Sequence, residues 1–387
     1  MSTTTTLTNV HLVTSGELVD IAMTDGRITR ITPVVEIEES DDTASDEESG
    51  QEGSDAGAAS GDDVVDGLGG FVAPGLIDTH LHLLDESELA TLTDFGVTSA
   101  VELGTHPDSL IDELRAAQGV TTFLSAGSAA SAPGGTQTAV IGFPAESAVT
   151  GPDDAERFVA WRHDAGADVI KIIIEDPHNP TAKALDLETI TAIVEAAHKR
   201  DLLTFAHVVT AHSYTMGLDA GVDILTHAPL DRPLDEETIE RLVKAGTVVS
   251  PTLVMMKAAA EAFAGRGDRG PNLSFDHALE SVRRMHEAGV PILAGTDANL
   301  HPKTPAQIPM GTSLHEELEL LVEAGLTPTE ALTAATSAAA SAVRLEDRGV
   351  LEPGKRADLV VLGTDPRSDV TASRSVAQVW IAGERVR

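Results

Sequence analysis

The sequence predicts an α/β protein, a (β/α)8 TIM barrel with a small β-sandwich domain built from both chain termini. Three observations support this fold class. From Phe71 onward, short apolar runs alternate with amphipathic stretches that end in glycine. Strand patterns recur at both ends of the chain. The length of 387 residues, with 42% hydrophobic content, suits one large core with a small appended domain.

Residues 1–73 and 346–387 are predicted to form the composite β-sandwich domain. The first part reads as a β-meander with a turn at Asp25-Gly26, and the last part has a turn at Gly383. The expected strands are residues 7–13, 19–23, 28–31, 357–362 and 376–386.

An acidic segment, residues 36–63, interrupts the first part of this domain. It holds twelve acidic residues and no lysine or arginine, and it is rich in serine and glycine. Such a composition cannot bury enough apolar surface to offset the entropy of ordering. We therefore expect a solvated, disordered loop, with an acidic binding tail as the alternative.

Residues 74–345 are predicted to form the barrel. Eight candidate strands lie at residues 76–79, 98–103, 121–126, 169–174, 203–206, 223–226, 247–250 and 292–295. The intervening helices include residues 152–165, 187–199, 235–245 and 275–288, and an alanine-rich helix or helix pair follows at 327–344. Strands that alternate with helices at this spacing indicate parallel βαβ units, and eight such units close a barrel.

The charge balance restricts the partners. The chain has 62 acidic and 26 basic side chains, a formal net charge of −36, which argues against nucleic acid and anionic membranes. An acidic surface with few aromatics suggests a halophilic protein, because the Debye length falls to ~3 Å at 1 M salt. An ordinary acidic enzyme is the alternative. With no signal peptide pattern and no long apolar run, we expect a cytoplasmic location.

The first predicted barrel strand ends in a histidine pair. In a (β/α)8 barrel the active site forms at the carboxyl ends of the strands. The run PGLIDTHLH at 74–82 places His80 and His82 on the same side of the strand, where two imidazoles can share one cation. Cysteine is absent, so any metal must be held by histidine, carboxylates or a modified lysine.

The fourth predicted strand carries Lys171 among apolar residues. A lone ammonium is costly to bury, and a protonated amine has no lone pair for a metal. Carbamylation by CO₂ would give it two oxygens able to bridge two metals. The alternative is a lysine that reaches solvent from the strand edge or pairs with an acid.

Three further polar residues follow predicted strands five, six and eight: His207, His227 and Asp297. Each histidine alone would suit a hydrogen-bonded core position. Together with the histidine pair and the lysine, they form a set that predicts a metal centre at one rim of the barrel.

This set resembles the amidohydrolase superfamily, and the resemblance covers nearly the whole chain. The matching pieces are PGLIDTHLH at 74–82, Lys171, His207, His227, GTD at 295–297, ALTAAT at 331–336 and GVLEPGKRADLVVL at 349–362. The chain looks most similar to the imidazolonepropionase-like and prolidase-like branches, partly through VVSPTL at 248–253. Family members often form homo-oligomers, and nothing in the sequence identifies an interface.

The resemblance implies a binuclear centre. His80, His82 and Asp297 would bind the more buried metal, His207 and His227 would bind the second, and carbamylated Lys171 would bridge them. Zinc suits these ligands, and manganese, cobalt or iron would fit similar sites. Two ions ~3.5–4 Å apart can hold a bridging hydroxide at neutral pH. Asp297 would act as the general acid–base in cleavage of an amide or cyclic amide, for example in a dipeptide or N-acyl amino acid.

Three other residues are weaker candidates for contact with a small-molecule substrate: Tyr214, His301 and Gly135. Tyr214 is the sole tyrosine and follows strand five, whereas His301 and Gly135 lie in loops that should rim the pocket. A surface or packing role is the alternative for Tyr214.

Other functions remain open on the same fold. A mononuclear deaminase usually lacks the strand-four lysine and has a glutamate soon after the strand-five histidine, whereas Val208-Val209-Thr210 follows His207 here. A lactonase or phosphotriesterase shares the metal set. A non-catalytic binding protein is the third reading, because fold alone does not fix function.

Overall fold

The computed structural model describes residues 3–34, 63–264, 273–304 and 306–387. The predicted acidic loop therefore lies outside the described residues, except for Asp63, which begins a strand. The described strands form a mixed seven-stranded sheet and two parallel sheets of four and three strands. Among the described residues, no helix combines the length and the hydropathy needed to cross a membrane.

In chain order the strands are β1 (Thr4–Leu12), β2 (Leu18–Thr24), β3 (Arg27–Pro33), β4 (Asp63–Pro74), β5 (Leu76–Leu81), β6 (Val97–Glu102), β7 (Thr122–Ser125), β8 (Val169–Ile173), β9 (Leu203–His207), β10 (Ile224–Thr226), β11 (Val248–Ser250), β12 (Leu359–Leu362), β13 (Val376–Ile381) and β14 (Glu384–Arg385).

The α-helices are α1 (Glu86–Asp94), α2 (Asp108–Arg115), α3 (Ala155–Asp164), α4 (Leu187–His198), α5 (Ala211–Ala220), α6 (Glu236–Ala245), α7 (Leu253–Phe263), α8 (Phe275–Ala288), α9 (Thr312–Glu323), α10 (Pro328–Ala334) and α11 (Ser337–Ala342). Several begin at side chains that accept from free backbone N–H groups, such as Asp186 before α4, Thr210 before α5 and Asp235 before α6. The alanine-rich stretch 327–344 is a helix pair, α10 and α11.

The seven-stranded sheet joins the two ends of the chain in the order β14-β13-β12-β4-β1-β2-β3. The predicted meander is confirmed, because β1, β2 and β3 pair in antiparallel succession. One face of the sheet packs on buried side chains that include Leu7, Leu359 and Trp380. The strands belong to one hydrogen-bonded sheet, whereas we expected a sandwich of two. Alternation in a sequence indicates which face of a strand is buried but not which strand it pairs with.

The two parallel sheets, β5-β6-β7 and β11-β10-β9-β8, contain seven of the eight predicted barrel strands. Their residues are largely buried, as expected where helices cover a parallel sheet. In register, His207 lies beside Ile173 of β8 and Thr226 of β10. Lys171 is therefore two residues from the carboxyl end of β8, and His227 directly follows the end of β10. The register of these three strands therefore brings Lys171, His207 and His227 to the carboxyl edge of the sheet.

The eighth predicted strand, residues 292–295, is not a regular strand. It is held by single backbone bonds: Leu293 N donates to the Val249 carbonyl (2.8 Å), and Thr79 N donates to the Ala294 carbonyl (3.0 Å). Pro291, just before this segment, has no N–H group, and Asp297, two residues after it, has a φ of 55°. Both features interrupt a continuous ladder, which explains the difference from the prediction.

His315 of α9 connects three distant segments and gives a test of the fold. Its Nε2 lies 3.0 Å from the Phe95 carbonyl and its Nδ1 lies 3.0 Å from Ser373 Oγ. Burial lowers the pKa of His315 to about 4, against an ordinary value of 6.5. Because the unfolded chain binds the proton more readily, this group stabilises the fold above pH 6.5, and its contribution is lost as the pH falls toward 4.

We therefore expect the stability advantage of the wild type over His315→Gln to shrink by about 1.4 kcal/mol for each pH unit between 6.5 and 4. Urea denaturation at a series of pH values measures this difference. His163→Gln, which changes a half-exposed ring on α3, is the control and should follow the wild type at every pH. A difference between wild type and His315→Gln that stays constant with pH would contradict the prediction.

Candidate metal centre

The six predicted ligands all line one cavity of about 550 Å³. His80 lies within β5 and His82 follows it, Lys171 lies in β8, and His207 ends β9. His227 comes directly after β10, and Asp297 lies two residues after the irregular segment 292–295. The cavity thus collects side chains from both parallel sheets, as the positions at strand ends predict.

The Asp297 carboxylate lies among three histidines. Its Oδ1 is 2.9 Å from His82 Nε2 and 3.5 Å from His80 Nε2, and its Oδ2 is 3.9 Å from His227 Nδ1. The His227 ring centroid is 5.0 Å from that of His80 and 4.4 Å from that of His207. One ligand atom each of His80, His82 and Asp297 lies within 4.8 Å of the others, which is close enough for a single cation.

Burial favours the neutral form of three of the histidines in the cluster. It lowers the pKa values of His80 and His227 well below the ordinary 6.5, and that of His207 to about 4. Burial also lowers the pKa of Lys171 to about 7, against the opposing charges of Asp297 and Glu102. A neutral imidazole has a free lone pair, so these rings can bind a metal at neutral pH without first losing a proton.

Asp78 joins the two segments that carry His80 and Asp297, and our sequence analysis did not single it out. It accepts hydrogen bonds from the backbone N–H groups of His80 and Thr296, each 3.1 Å long, and from Thr296 Oγ1 at 2.7 Å. Asp297 N in turn donates to the His80 carbonyl (2.7 Å). Burial raises the pKa of Asp78 to about 7. This buried carboxyl therefore fixes where two of the predicted ligands lie.

His227 is held by two residues that do not line the cavity. Its Nδ1 is 2.8 Å from Thr252 Oγ1, and its carbonyl accepts from the Tyr214 hydroxyl. His227 and Thr252 both have positive φ values, 77° and 47°, which aim their side chains away from regular strand directions. A proton on Nδ1 shared with Thr252 leaves Nε2 free.

The three predicted substrate contacts are placed differently. His301 lines the cavity. Tyr214 is fully buried, and its hydroxyl donates a hydrogen bond to the His227 carbonyl. Burial also raises the pKa of this hydroxyl. The position of Tyr214 therefore favours a role in holding His227 over contact with a substrate. Gly135 is not among the lining residues, although the adjacent Thr136 and Gln137 are.

Glu102, at the end of β6, is a further buried carboxylate that the sequence analysis missed. It accepts from the N–H groups of Gly104 and Thr105 and from Ser125 Oγ (2.5 Å), and its Oε1 is 4.0 Å from His82 Nδ1. The signal was present, because Glu102 lies one residue before the end of the predicted strand 98–103, as the predicted ligands lie at or near the ends of theirs. Its contacts anchor the loop beneath His82.

At Gly295 the neighbouring side chains leave no space for a Cβ atom. A Cβ there would lie 2.3 Å from Ser250 Oγ, 2.7 Å from Thr79 Oγ1 and 3.2 Å from His80 Cβ. We expect Gly295→Ala to displace His80 and to lower the free energy of unfolding by about 1–3 kcal/mol. Urea denaturation and metal content measure these effects.

The matched control is Gly363→Ala, where the nearest atom to the added Cβ is 3.6 Å away. This variant should keep the stability and metal content of the wild type. If Gly295→Ala were as stable as Gly363→Ala and bound as much metal, the close approach at Gly295 would have no consequence.

Histidines and a carboxylate that could hold a cation, at the carboxyl ends of parallel strands, are typical of metal-dependent hydrolases. Residues 71–386 match the Amidohydrolase family model, and the chain belongs to this family. It is an enzyme that hydrolyses carbon–nitrogen bonds.

The matches to individual relatives cover most of the chain. A Mycobacterium tuberculosis protein of uncharacterized function is 27% identical over 333 residues, 80% of this chain and 83% of the relative. The imidazolonepropionase of Salinispora arenicola is 27% identical over 342 residues, 77% of this chain and 79% of that enzyme. The crystal structure of a Xaa-Pro dipeptidase superposes with a TM-score of 0.77 at 21% identity and covers 99% of both chains, which supports the fold.

Proposed function

We propose that this chain uses two divalent metal ions to hydrolyse a C–N bond of a small amide or cyclic amide. The observation that carries the proposal is the position of Lys171. It is a buried lysine in the same cavity as four histidines and Asp297, and its pKa of about 7 leaves much of the amine unprotonated at neutral pH. A lysine in that state can become the anionic ligand that a two-metal site requires.

The carbamate is proposed from this chemistry. The unprotonated Nζ attacks the carbon of CO₂, an N–C bond forms, and the nitrogen releases a proton, which leaves a carbamate with two oxygens. Thr226 Oγ1, 2.7 Å from Nζ, accepts a hydrogen bond from the lysine nitrogen and holds its side chain in the cavity. The carbamate is an anion, and a buried anion is stabilised when bound cations balance its charge.

We propose that the donor set would hold two metals. His80, His82 and Asp297 would bind one ion, His207 and His227 would bind the other, and carbamylated Lys171 would contribute to both. Among the described residues, His80 Nδ1 is buried without a hydrogen-bond partner, so the ring has binding capacity that the protein alone does not use. Imidazole and carboxylate ligands suit zinc, and manganese, cobalt or iron are the alternatives.

Bound divalent ions would supply Lewis acidity toward the scissile carbonyl and lower the pKa of water from 15.7 to about 7. The protein supplies the proton transfers and the positioning. Asp297, with its carboxylate partly open to the cavity, accepts the proton released by the attacking water and passes it to the leaving nitrogen. Asp78 and Thr252 keep the ligands in place through the hydrogen bonds described above.

The cavity wall indicates the kind of substrate. Apolar atoms form most of its surface, from side chains that include Leu110, Phe143, Met255 and Met256, whereas polar side chains such as His106 and His301 contribute less area. A substrate with an apolar group on one side of the C–N bond would bury that group here. We propose N-acyl amino acids, dipeptides and cyclic amides with apolar side chains.

A substrate panel tests the proposed function. Metal-loaded protein is assayed in molar KCl, because we also propose that the net charge of −36 reflects a halophilic surface. The panel contains N-acyl amino acids, dipeptides and cyclic amides, with lactones, phosphotriesters and amino-heterocycles as the competing classes. We expect at least two metals per chain by elemental analysis, and turnover of a C–N substrate that chelation abolishes.

Each other outcome identifies a competing function. Faster hydrolysis of lactones or phosphotriesters would favour that branch, and ammonia release from amino-heterocycles would favour a deaminase. Two bound metals with no turnover on any class would favour a non-catalytic binding protein.

We further propose that the parallel strands close into a barrel at residues 74–345, with residues 1–73 and 346–387 as a separate domain. Backbone bonds beyond the regular strands support closure. Ile173 N donates to the Ala130 carbonyl (2.9 Å) between the two parallel sheets, and His82 N donates to the Ala298 carbonyl (2.9 Å) on the other side.

A further inference from the structure

A second cluster of metal-binding side chains lies on the loop after β8 and at the start of α5. It consists of Asp176, His178 and His212, and one ligand atom of each lies within 4.8 Å of the others. Asp176 Oδ1 is 3.0 Å from His178 Nδ1, and the ring centroids of His178 and His212 are 4.5 Å apart. The cluster shares no residue with the six ligands of the metal centre.

The spacing suits a tetrahedral cation. Zinc binds imidazole nitrogen and carboxylate oxygen at about 2.0–2.1 Å, so adjacent ligand atoms of a tetrahedral site are about 3.3 Å apart. The pair formed by Asp176 and His178 is already near this separation. The His178 side chain is 74% exposed, so it can turn to admit a cation without disturbing the core.

The carboxylate of the cluster is fixed and charged. Asp176 accepts from the backbone N–H of His178 (2.9 Å) and from Thr210 Oγ1 (3.2 Å). Burial acts to raise the pKa of Asp176, but these hydrogen bonds outweigh it and hold the pKa below its ordinary value. A cation therefore meets a carboxylate that is already ionised and oriented.

We propose that Asp176, His178 and His212 form an additional site for Zn²⁺ or a similar borderline divalent cation, such as Co²⁺ or Ni²⁺, with water completing the coordination. The site lies at the edge of the cavity, because the neighbouring Glu175 and Asn179 line it. Thr210, which holds Asp176, also lines the cavity. A bound cation links the loop after β8 to the first turn of α5.

Zinc titration of the whole protein tests this site. Metal is first removed from the protein with a chelator, the chelator is removed by gel filtration, and the protein is titrated calorimetrically with Zn²⁺ from zero to excess, so that every bound equivalent is counted. Wild type is compared with His212→Ala and with His178→Ala. The matched control is His163→Ala, because His163 and Asp164 form a similar surface pair, with His163 Nδ1 3.1 Å from Asp164 Oδ1, and belong to no three-ligand cluster among the described residues.

We expect wild type and His163→Ala to bind one more equivalent of Zn²⁺ than His212→Ala, or to bind that equivalent at least about tenfold more tightly. His178→Ala should resemble His212→Ala. Because both variants change side chains away from the metal centre, their circular dichroism should match the wild type. Equal stoichiometry and affinity in wild type and His212→Ala would overturn the proposal, whatever the enzyme hydrolyses.

Discussion

Asp297→Asn is expected to lower kcat/KM by about 10⁴-fold. The carboxylate lies 2.9 Å from His82 Nε2 and 3.5 Å from His80 Nε2, so it contributes negative charge at the point where those two rings meet. An asparagine keeps the shape but removes the charge and cannot accept a proton. Steady-state kinetics on the substrate identified by the panel measure the loss of activity, and elemental analysis measures the loss of bound metal.

The control for Asp297→Asn is Asp164→Asn, which makes the same chemical change at a carboxylate that is 80% exposed. This variant should retain full activity. A variant of Asp297 that kept its metal and lost less than about tenfold in kcat/KM would show that this carboxylate neither binds the metal nor transfers a proton.

Lys171→Ala is expected to lose at least about 10³-fold in activity together with bound metal. Alanine cannot react with CO₂, so the two ions would lose the ligand that they share. Short carboxylic acids such as acetate should restore part of the activity, because a carboxylate can occupy the space and charge of the missing carbamate.

The control for Lys171→Ala is Lys257→Ala, which removes a lysine that is 44% exposed on α7. Its activity and metal content should match the wild type. Full activity in Lys171→Ala would rule out a bridging carbamate. Loss of activity without rescue and with both metals retained would assign Lys171 a different role.

Much of the site could be predicted because strand order and strand ends determine it. His80 and His82 share a face by alternation, and parallel register brings Lys171, His207 and His227 to the same edge. Seven of the eight predicted parallel strands are present, since short apolar runs followed by amphipathic helices are typical of parallel βαβ units.

The residues that hold these ligands could not be predicted in the same way. Asp78 and Thr252 act through hydrogen bonds to segments distant in sequence, and Glu102 acts through the loop that follows it. Tyr214 was a candidate for substrate contact, with packing as the alternative, because a position shortly after a strand does not reveal the direction of a side chain. Segment 292–295 appeared to be a strand because its apolar pattern gives no sign of how Pro291 and Asp297 bend the backbone.

The seven-stranded sheet, which is formed from both ends of the chain, affects folding during synthesis. Strand β4 pairs with β1 on one side and with β12 on the other, so one of its edges is completed only by residues 359–362. At about 5–20 residues per second, a ribosome needs roughly 14–58 s to complete β12 after it has finished β4. Throughout that interval the nascent chain carries an open strand edge that can capture another polypeptide. A chain truncated before residue 359 keeps that edge open permanently, which makes it a target for chaperones and aggregation.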